Sequence, residues 1–577
     1  MNEEKSAFLA SIQEAIACFH SFLPLCDKQD KRLNIDRIEL RKENDVRTRE
    51  EHSSMIDPIR NDGRLALFLS LACGFDHFFR FYHEQEAMEI DAIYLSSLKP
   101  WVVSSDLLPF VRNPYFSVLK YLSWPCPNHC RCCLHENDFP NTRSHLPYKV
   151  SDEEIDTRLH YYEPSQSRAL PSQQEYHFHE YVNHPRFFEI AKKIREKTQD
   201  TIDIITSGIP LQESWLKEFH ELKPVMVYIS LNCVSPSYRI QTMKDPHPEH
   251  TLNMVQKLQE HDLPFLISIV PDEDLPEEEL EKTIQFASAC GAAVIRVNLP
   301  GYSRFHPRYR PGFDYQSFFS RITGLVQNLR SSVKAIMLVQ PVYWNDRAQD
   351  TFNKSYILGV LPGSPAQILG LKHGDFLLEI QGTSVYQSSF LARKLLRLYQ
   401  KTRASFCIKV QRGCQEIMFD MDSSLNPGYP YTQLNPDHYY SYPFGIYISE
   451  GVSPATLREI MQKIAEYPEK SKILLLCSSL MNPLLVNLLA GFPHLYFEVP
   501  EHQYWGGNIT CGDLYVAEDY RLTIEKWEQK HGKPDLVLLP ASPFGAWGID
   551  LKGQSAKKVL AKYNVYFIKN NLIPSMG

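Results

Sequence analysis

Apolar and polar positions change rhythm several times along this chain. In residues 1–112 apolar positions fall at helical spacing, as at Phe8, Ile12, Ile16 and Phe19. Residues 65–82 are apolar nearly all round and carry Phe68, Phe75, Phe78, Phe79 and Phe81, which predicts a buried helix packed on the next domain. Polar residues 27–61 separate the two, and the whole region reads as a helical packing module without chemistry. From Phe116 a short apolar run to Leu122 reads as a strand that ends at Trp124-Pro125. Residues 136–175 are polar, with Ser151 and Glu154 spaced as a capping box, and read as an insertion.

A strand–helix alternation then sets in. Phe187, Ile190, Ala191 and Ile194 mark a helix ahead of a strand at 202–205, and a second strand is read at 225–231. Leu252, Val255 and Leu258 mark a helix before a strand at 264–270. Pro276 stands at a helix start ahead of Leu280, Ile284 and Ala287, and 292–299 and 335–339 are strand-like again. Such alternation implies a parallel sheet with right-handed crossovers, and about six units fit between residues 116 and 345. Beyond a Pro-, Asn- and Tyr-rich linker at 425–442, strand-like runs at 444–448, 472–477, 495–499 and 536–539 alternate with helical ones, which predicts a small α/β domain over 440–577.

Composition narrows the class. The 577 residues are 43% hydrophobic and 22% charged, as in a globular protein, and the length suits three or four domains. A net charge of -7 argues against bulk nucleic-acid binding. The start, Met1-Asn-Glu-Glu-Lys5, is acidic where a secretory leader is basic, and the apolar run at 65–75 is too short to cross a bilayer. A cytoplasmic protein without membrane contact is expected.

Four of the 13 cysteines crowd into Cys126-Pro-Asn-His-Cys130-Arg-Cys132-Cys133, and the other nine show no paired spacing. One metal site in a reducing compartment fits this better than a disulfide framework. Cys126, Cys130 and Cys133 make C-x3-C-x2-C. Three thiolates on one loop can each take an iron of a four-iron four-sulfur cluster, which leaves one iron open to a ligand. A strand running into that loop is what the first strand of a parallel barrel gives, with the site at the carboxyl ends of the strands. Cys132 leaves a second choice, Cys126, Cys130 and Cys132, and beside Arg131 it reads as a candidate acidic thiol. His129 and His135 keep a structural zinc site open, although no second C-x2-C appears.

The loop resembles that of the radical S-adenosylmethionine (SAM) superfamily. The resemblance implies a partial (β/α)6 barrel over 113–345, a 4Fe-4S cluster on Cys126, Cys130 and Cys133, and SAM on the open iron. Phe178-His179-Glu180 resembles the family's Gly-Gly-Glu, with both glycines replaced. That likeness gives Glu180 to the SAM amino group, with Glu175 as an alternative alignment and a solvated helix-start acid as the plain reading. Thr206-Ser207-Gly208 resembles the family's Thr-Asn-Gly and stands where hydroxyls meet the SAM ribose or carboxylate, unless it is an ordinary turn. Ser230 and Asn232 stand at a matching strand end. Arg296 is a candidate for the SAM carboxylate or a barrel ion pair. The aromatic residue usual before the third cysteine is Cys132 here.

Residues 346–422 carry Gly363-Ser-Pro-Ala366, Gly370-Leu371 and Gly374-Asp375, which resemble a PDZ domain. PDZ domains bind an extended peptide along a strand edge, expected here near 356–360. Packing on the barrel without a ligand is the alternative. Trp505-Gly-Gly-Asn508 through Gly512 resembles an uncharacterised C-terminal domain that accompanies PDZ and radical SAM modules. Gly506, Gly507 and Gly512 read as turn glycines, with a phosphate loop as the other choice.

The resulting expectation is an enzyme of oxidoreductase or transferase type. It reductively cleaves SAM to a 5'-deoxyadenosyl radical that acts on an unknown substrate, a protein or peptide if the PDZ-like module binds one. Flavodoxin or ferredoxin would supply the electron. The alternatives are a PDZ-bearing interaction protein with structural zinc and an iron–sulfur electron carrier.

Overall fold

The computed structural model describes residues 126 and 128–133, scattered positions from 152 to 159, and 180–198, 201–345, 348–422, 442–547 and 550–568 with a few gaps. The helices expected over 1–112, the strand at 116–122, most of the polar insertion and nearly all of the linker lie outside the described residues.

Strands β1 (Ile202–Thr206), β2 (Val225–Ser230), β3 (Phe265–Ile269), β4 (Val294–Asn298) and β5 (Ile336–Gln340) form one parallel sheet in sequential order. Helices α1 (Phe187–Lys197), α2 (Glu213–Glu221), α3 (Pro236–Met243), α4 (Pro248–Glu260), α5 (Glu277–Ala289) and α6 (Tyr315–Leu329) accompany it. Local sequence sets their ends. Helix α5 follows Pro276 and opens with three glutamates, which suit the positive end of the helix dipole. Asp314 caps α6 by accepting from the Ser317 N–H.

The sheet's outer face carries Ile204, Val227, Ile229, Ile267, Val297 and Val339 against Ile190, Val255, Ile284 and Ile322 of the helices. Each such burial is worth about 1.5–3 kcal/mol. The inner face divides by height. The pairing aligns Tyr228, Leu266, Val294 and Ile336 in one row, and Ser230, Ser268, Arg296 and Leu338 in the row nearer the carboxyl ends. The lower row packs against Tyr356, Leu358, Leu361, Tyr442 and Tyr447 of the following module. The upper row is polar at Ser230, Ser268 and Arg296, with Leu338 joining the apolar cluster below, and lies beside the cysteine loop's end of the sheet.

That module contains β6 (Ile357–Val360), α7 (Pro365–Ile368), β7 (Phe376–Ile380), β8 (Thr383–Ser384), α8 (Ser389–Thr402), β9 (Phe406–Arg412) and β10 (Gln415–Met421). Its four-stranded sheet runs β10-β9-β7-β8. Strand β11 (Ile446–Ile448), which the sequence pattern groups with the C-terminal strands, pairs instead with β6 in antiparallel fashion. Phe444, Ile446 and Ile448 complete this module's core with Ile357, Leu377, Leu396 and Ile408. The segment expected to meet a peptide is therefore buried: β6 is paired with β11 on one edge, and Tyr356 bridges to Phe376. A strand in that position has no free edge for a peptide, which corrects the expectation for 356–360.

The C-terminal part holds α9 (Pro454–Ala465), β12 (Ile473–Leu476), α10 (Asn482–Leu488), β13 (Leu495–Glu498), α11 (Ala517–His531), β14 (Leu536–Pro540), α12 (Ala556–Val559) and β15 (Val565–Ile568). The four strands are parallel in the order β13-β12-β14-β15. Leucines of alternating orientation fill both faces. Leu474 and Leu476 pack with Tyr520, Ile524 and Trp527, and Ile473 and Leu475 with Ile460, Ile464 and Leu485.

Candidate metal and cofactor site

The cysteine loop is fastened to the loops and helices around the parallel sheet at several points. The Cys133 N–H donates to the Cys130 carbonyl at 3.1 Å, a tight turn that brings the later cysteines round, and the Arg131 N–H donates to the Thr242 carbonyl of α3 at 2.7 Å. The Arg131 guanidinium reaches Asp274 at 2.9 Å and Asp272 at 3.7 Å. The same two acids, with Glu273, are held by Arg308 at 2.6–2.9 Å. Arg308 first among these holds Asp274 below its usual carboxylate range.

The thiols stand within electrostatic reach of one another. Burial pushes Cys126 up to about 11, with the Glu180 charge adding to it. Burial, then the charges of Cys132, Cys126 and Cys133, raises Cys130. Cys132 is pushed up to about 12 by burial, then by Cys133 and Asp272. The expectation of an acidic thiol at Cys132 is thus reversed: Arg131 is turned to the aspartates, and Cys132 faces burial and negative charge. Its sulfur receives the Asn232 amide at 3.7 Å.

Glu180 is 4% exposed, so it is not a solvated acid. The Ser207 N–H donates to its two oxygens at 3.0 and 3.3 Å. Burial raises its pKa, against hydrogen bonds from Ser207 and Thr206 that lower it. Tyr181, next in the chain, fixes this placement, because its hydroxyl donates to the Asp203 carbonyl at 3.1 Å and accepts from the Ile205 N–H at 2.8 Å. The Thr206 hydroxyl accepts from the Gly208 N–H at 3.1 Å, and Gly208 takes a left-handed φ of 81° that favours glycine. Cys126, Glu180, Thr206 and Ser207 form one constellation at the β1 end of the sheet.

The other predicted positions are spread along the upper row. Asn232 takes φ 55° just after β2, and its Oδ1 accepts from the Val270 N–H at 2.9 Å, which ties β2 to β3. Both ends of that amide are therefore engaged within the protein. Ser230 and Arg296 are half-buried on the inner face, on either side of Ser268, which accepts from the Asn298 amide at 2.7 Å.

Two residues that the sequence reading passed over are built into the same region. Arg239 of α3 is fully buried; its Nε donates to Asp245 at 2.8 Å and its Nη1 to the Leu231 and Cys233 carbonyls at 2.6 and 3.0 Å. Its charge acts on Cys130, and its Nη2 has no partner. Asn128, 8% exposed inside the cysteine loop, has no partner for either amide atom. Orphaned donors beside gathered thiols are what a site built around a bound group leaves when only the protein is counted. The donor set fits an iron–sulfur cluster, in which each thiolate serves a different iron. Among the described residues no three His, Cys, Asp or Glu side chains gather as one metal ion needs; His129 is exposed, and His135 lies outside them. No helix among the described residues is long and apolar enough to cross a membrane.

Residues 126–287 match the Radical SAM superfamily model and form a radical SAM domain. Members of that superfamily use a 4Fe-4S cluster and SAM. Solved structures similar to this chain include Streptococcus suis SuiB bound to precursor peptide SuiA, with 12% identity and TM-score 0.28 over 48% of this chain and 64% of that one. SuiB bound to S-adenosylmethionine is similar at 12% identity and TM-score 0.28, over 48% and 66% of the two chains. SuiB alone gives 11% identity and TM-score 0.26 over 49% and 65%. The chain thus covers less than two thirds of the length of each. No curated protein matches.

Proposed function

We propose, from the premise that residues 126–287 form a radical SAM domain, that Cys126, Cys130 and Cys133 hold the cluster and that Glu180 receives the amino group of SAM. When bound, these groups supply one-electron reductive cleavage of SAM to a 5'-deoxyadenosyl radical, which takes hydrogen from a substrate. The observation that carries the reading is the placement of buried Glu180 beside Cys126, held by the Ser207 N–H. A carboxylate so fixed has lone pairs left for an ammonium, and a charge-assisted bond there is strong. Ser230, Arg296 and the Thr206-Ser207 turn line the polar row toward the ribose and carboxylate. Arg239 places a positive charge near Cys130, which favours thiolate over thiol.

Below that row the apolar floor keeps water out, as radical chemistry requires. The module at 346–422, read as PDZ-like, supplies that floor together with Tyr442 and Tyr447, and a small electron carrier of the flavodoxin or ferredoxin kind is the reductant. The test is anaerobic loading of the full chain with iron and sulfide, followed by SAM and dithionite. A brown protein that forms 5'-deoxyadenosine supports the reading. A loaded, coloured protein that leaves SAM intact points to an electron carrier instead.

A further inference from the structure

The glycine-rich loop at 505–508 is clasped on the segment that follows β4. Asn508 Oδ1 accepts from the Tyr302 N–H at 2.6 Å, its Nδ2 donates to the Pro300 carbonyl at 2.9 Å, and its own N–H donates to the Tyr302 carbonyl at 3.0 Å. The Arg304 N–H donates to the Trp505 carbonyl at 2.9 Å. Gly507 has φ 73°, and a Cβ there would lie 1.8 Å from the Tyr302 carbonyl oxygen, so only glycine permits the approach.

The clasped loop leads straight to a cysteine. The Tyr302 ring lies on that of His306, centroids 4.4 Å apart. His306 is buried, and its Nδ1 accepts from the Arg308 N–H at 3.0 Å. That bond leaves the ring proton on Nε2, which donates to the Cys133 carbonyl at 3.1 Å. Two residues on, Arg308 holds Asp272 and Asp274, which hold Arg131 of the cysteine loop. Residues 300–308 therefore grip the cysteine loop at two points, and the C-terminal domain grips residues 300–304.

We propose that His306 is a positioning residue for Cys133 and that Asn508 of the C-terminal domain latches it in place, so that this distant domain sets the geometry of the cysteine loop. The cluster part of the inference rests on the function proposed above. Partners behind a metal ligand typically alter metal affinity by about 10–100-fold.

The experiment uses the full chain, loaded anaerobically, with loss of visible absorbance to an iron chelator followed over time. His306→Ala and Asn508→Ala are each expected to speed that loss by about tenfold or more, and His306→Gln, which keeps a donor, to recover most of it. The double variant is expected to lose iron no faster than the faster single one, because both act through one link. Rates equal to the parent, or rates that multiply in the double variant, overturn the latch. Asn508→Asp, which keeps the acceptor for Tyr302 and loses the donor to Pro300, is a milder second variant should the alanine misfold. Hydrogen exchange of the 126–133 segment in metal-free protein tests the same link without iron: Asn508→Ala should speed it, and unchanged exchange counts against the latch. A parent chain that takes up no iron while the exchange result holds overturns the cluster reading and leaves the latch standing.

Discussion

The environment of each side chain in the proposed site says what its substitution will do. Glu180→Gln keeps shape and one acceptor but removes the charge. Iron uptake is expected to stay unchanged, while SAM binding to the loaded protein weakens by about 10–100-fold, the worth of a charge-assisted bond. Equilibrium dialysis with labelled SAM checks this, and unchanged affinity would remove Glu180 from the site. Arg239→Met leaves Asp245 buried without its partner, which costs about 3–5 kcal/mol. Urea denaturation read in the barrel measures that loss. Much of this scale was legible in the sequence. Spacing singled out the cysteines, and resemblance to the family's motifs singled out Glu180 and the Thr-Ser-Gly turn. Asn128, Arg239 and His306 were not legible, since their importance comes from burial and from partners far along the chain. Asn232 stands just after β2 as expected from the strand pattern, but its left-handed φ turns its amide toward Val270 and Cys132, which the sequence does not show.

At the scale of elements, two contacts invite measurement. Gly359 of β6 lets the module approach the barrel sheet, and a Cβ there would meet Ile336 Cγ2 at 2.7 Å. Gly359→Val is expected to destabilise the fold by about 1–3 kcal/mol through overpacking, seen as a lower thermal midpoint. The start of α11 carries two opposed titrations. Burial raises Asp519 from 3.8 to about 6, although it accepts backbone N–H groups of Val516 and Gln503. Burial lowers His502, stacked on Tyr515 at 3.8 Å, from 6.5 to about 4.

The folded state binds more protons than the unfolded one at Asp519 and fewer at His502. Stability contributed by Asp519 is therefore lost as pH rises from about 4 to about 6, and that contributed by His502 is lost as pH falls from about 6.5 to about 4. The two slopes oppose each other. His502→Phe should leave a domain whose stability falls with rising pH over that window, and Asp519→Asn one whose stability rises. Denaturant titrations at several pH values decide, and parallel profiles for both variants would contradict the assignment.

Strand and helix order was readable here wherever the apolar period was clean, as along 202–299. Strand β11 was misgrouped because a strand's partner is chosen by side-chain fit across the sheet, and residues 361–445 part it from β6 in sequence.

Across the whole molecule, the modules close one another's surfaces. A chain ended at residue 345 would uncover Met226, Tyr228, Leu266, Val294, Ile336 and Leu338, which now face the second module. Such a fragment is expected to bind a hydrophobic dye strongly and to elute as aggregates, whereas the full chain does neither; gel filtration with dye fluorescence tests this. Sequence alone could list these modules in order but could not show that the floor of the first belongs to the second, because that fact lies in contacts between distant segments. The covered floor also bears on what the proposed site can admit. With the lower row packed against the second module, a substrate of the proposed site would have to reach the upper row from the carboxyl ends of the strands, and its product would leave on that same side.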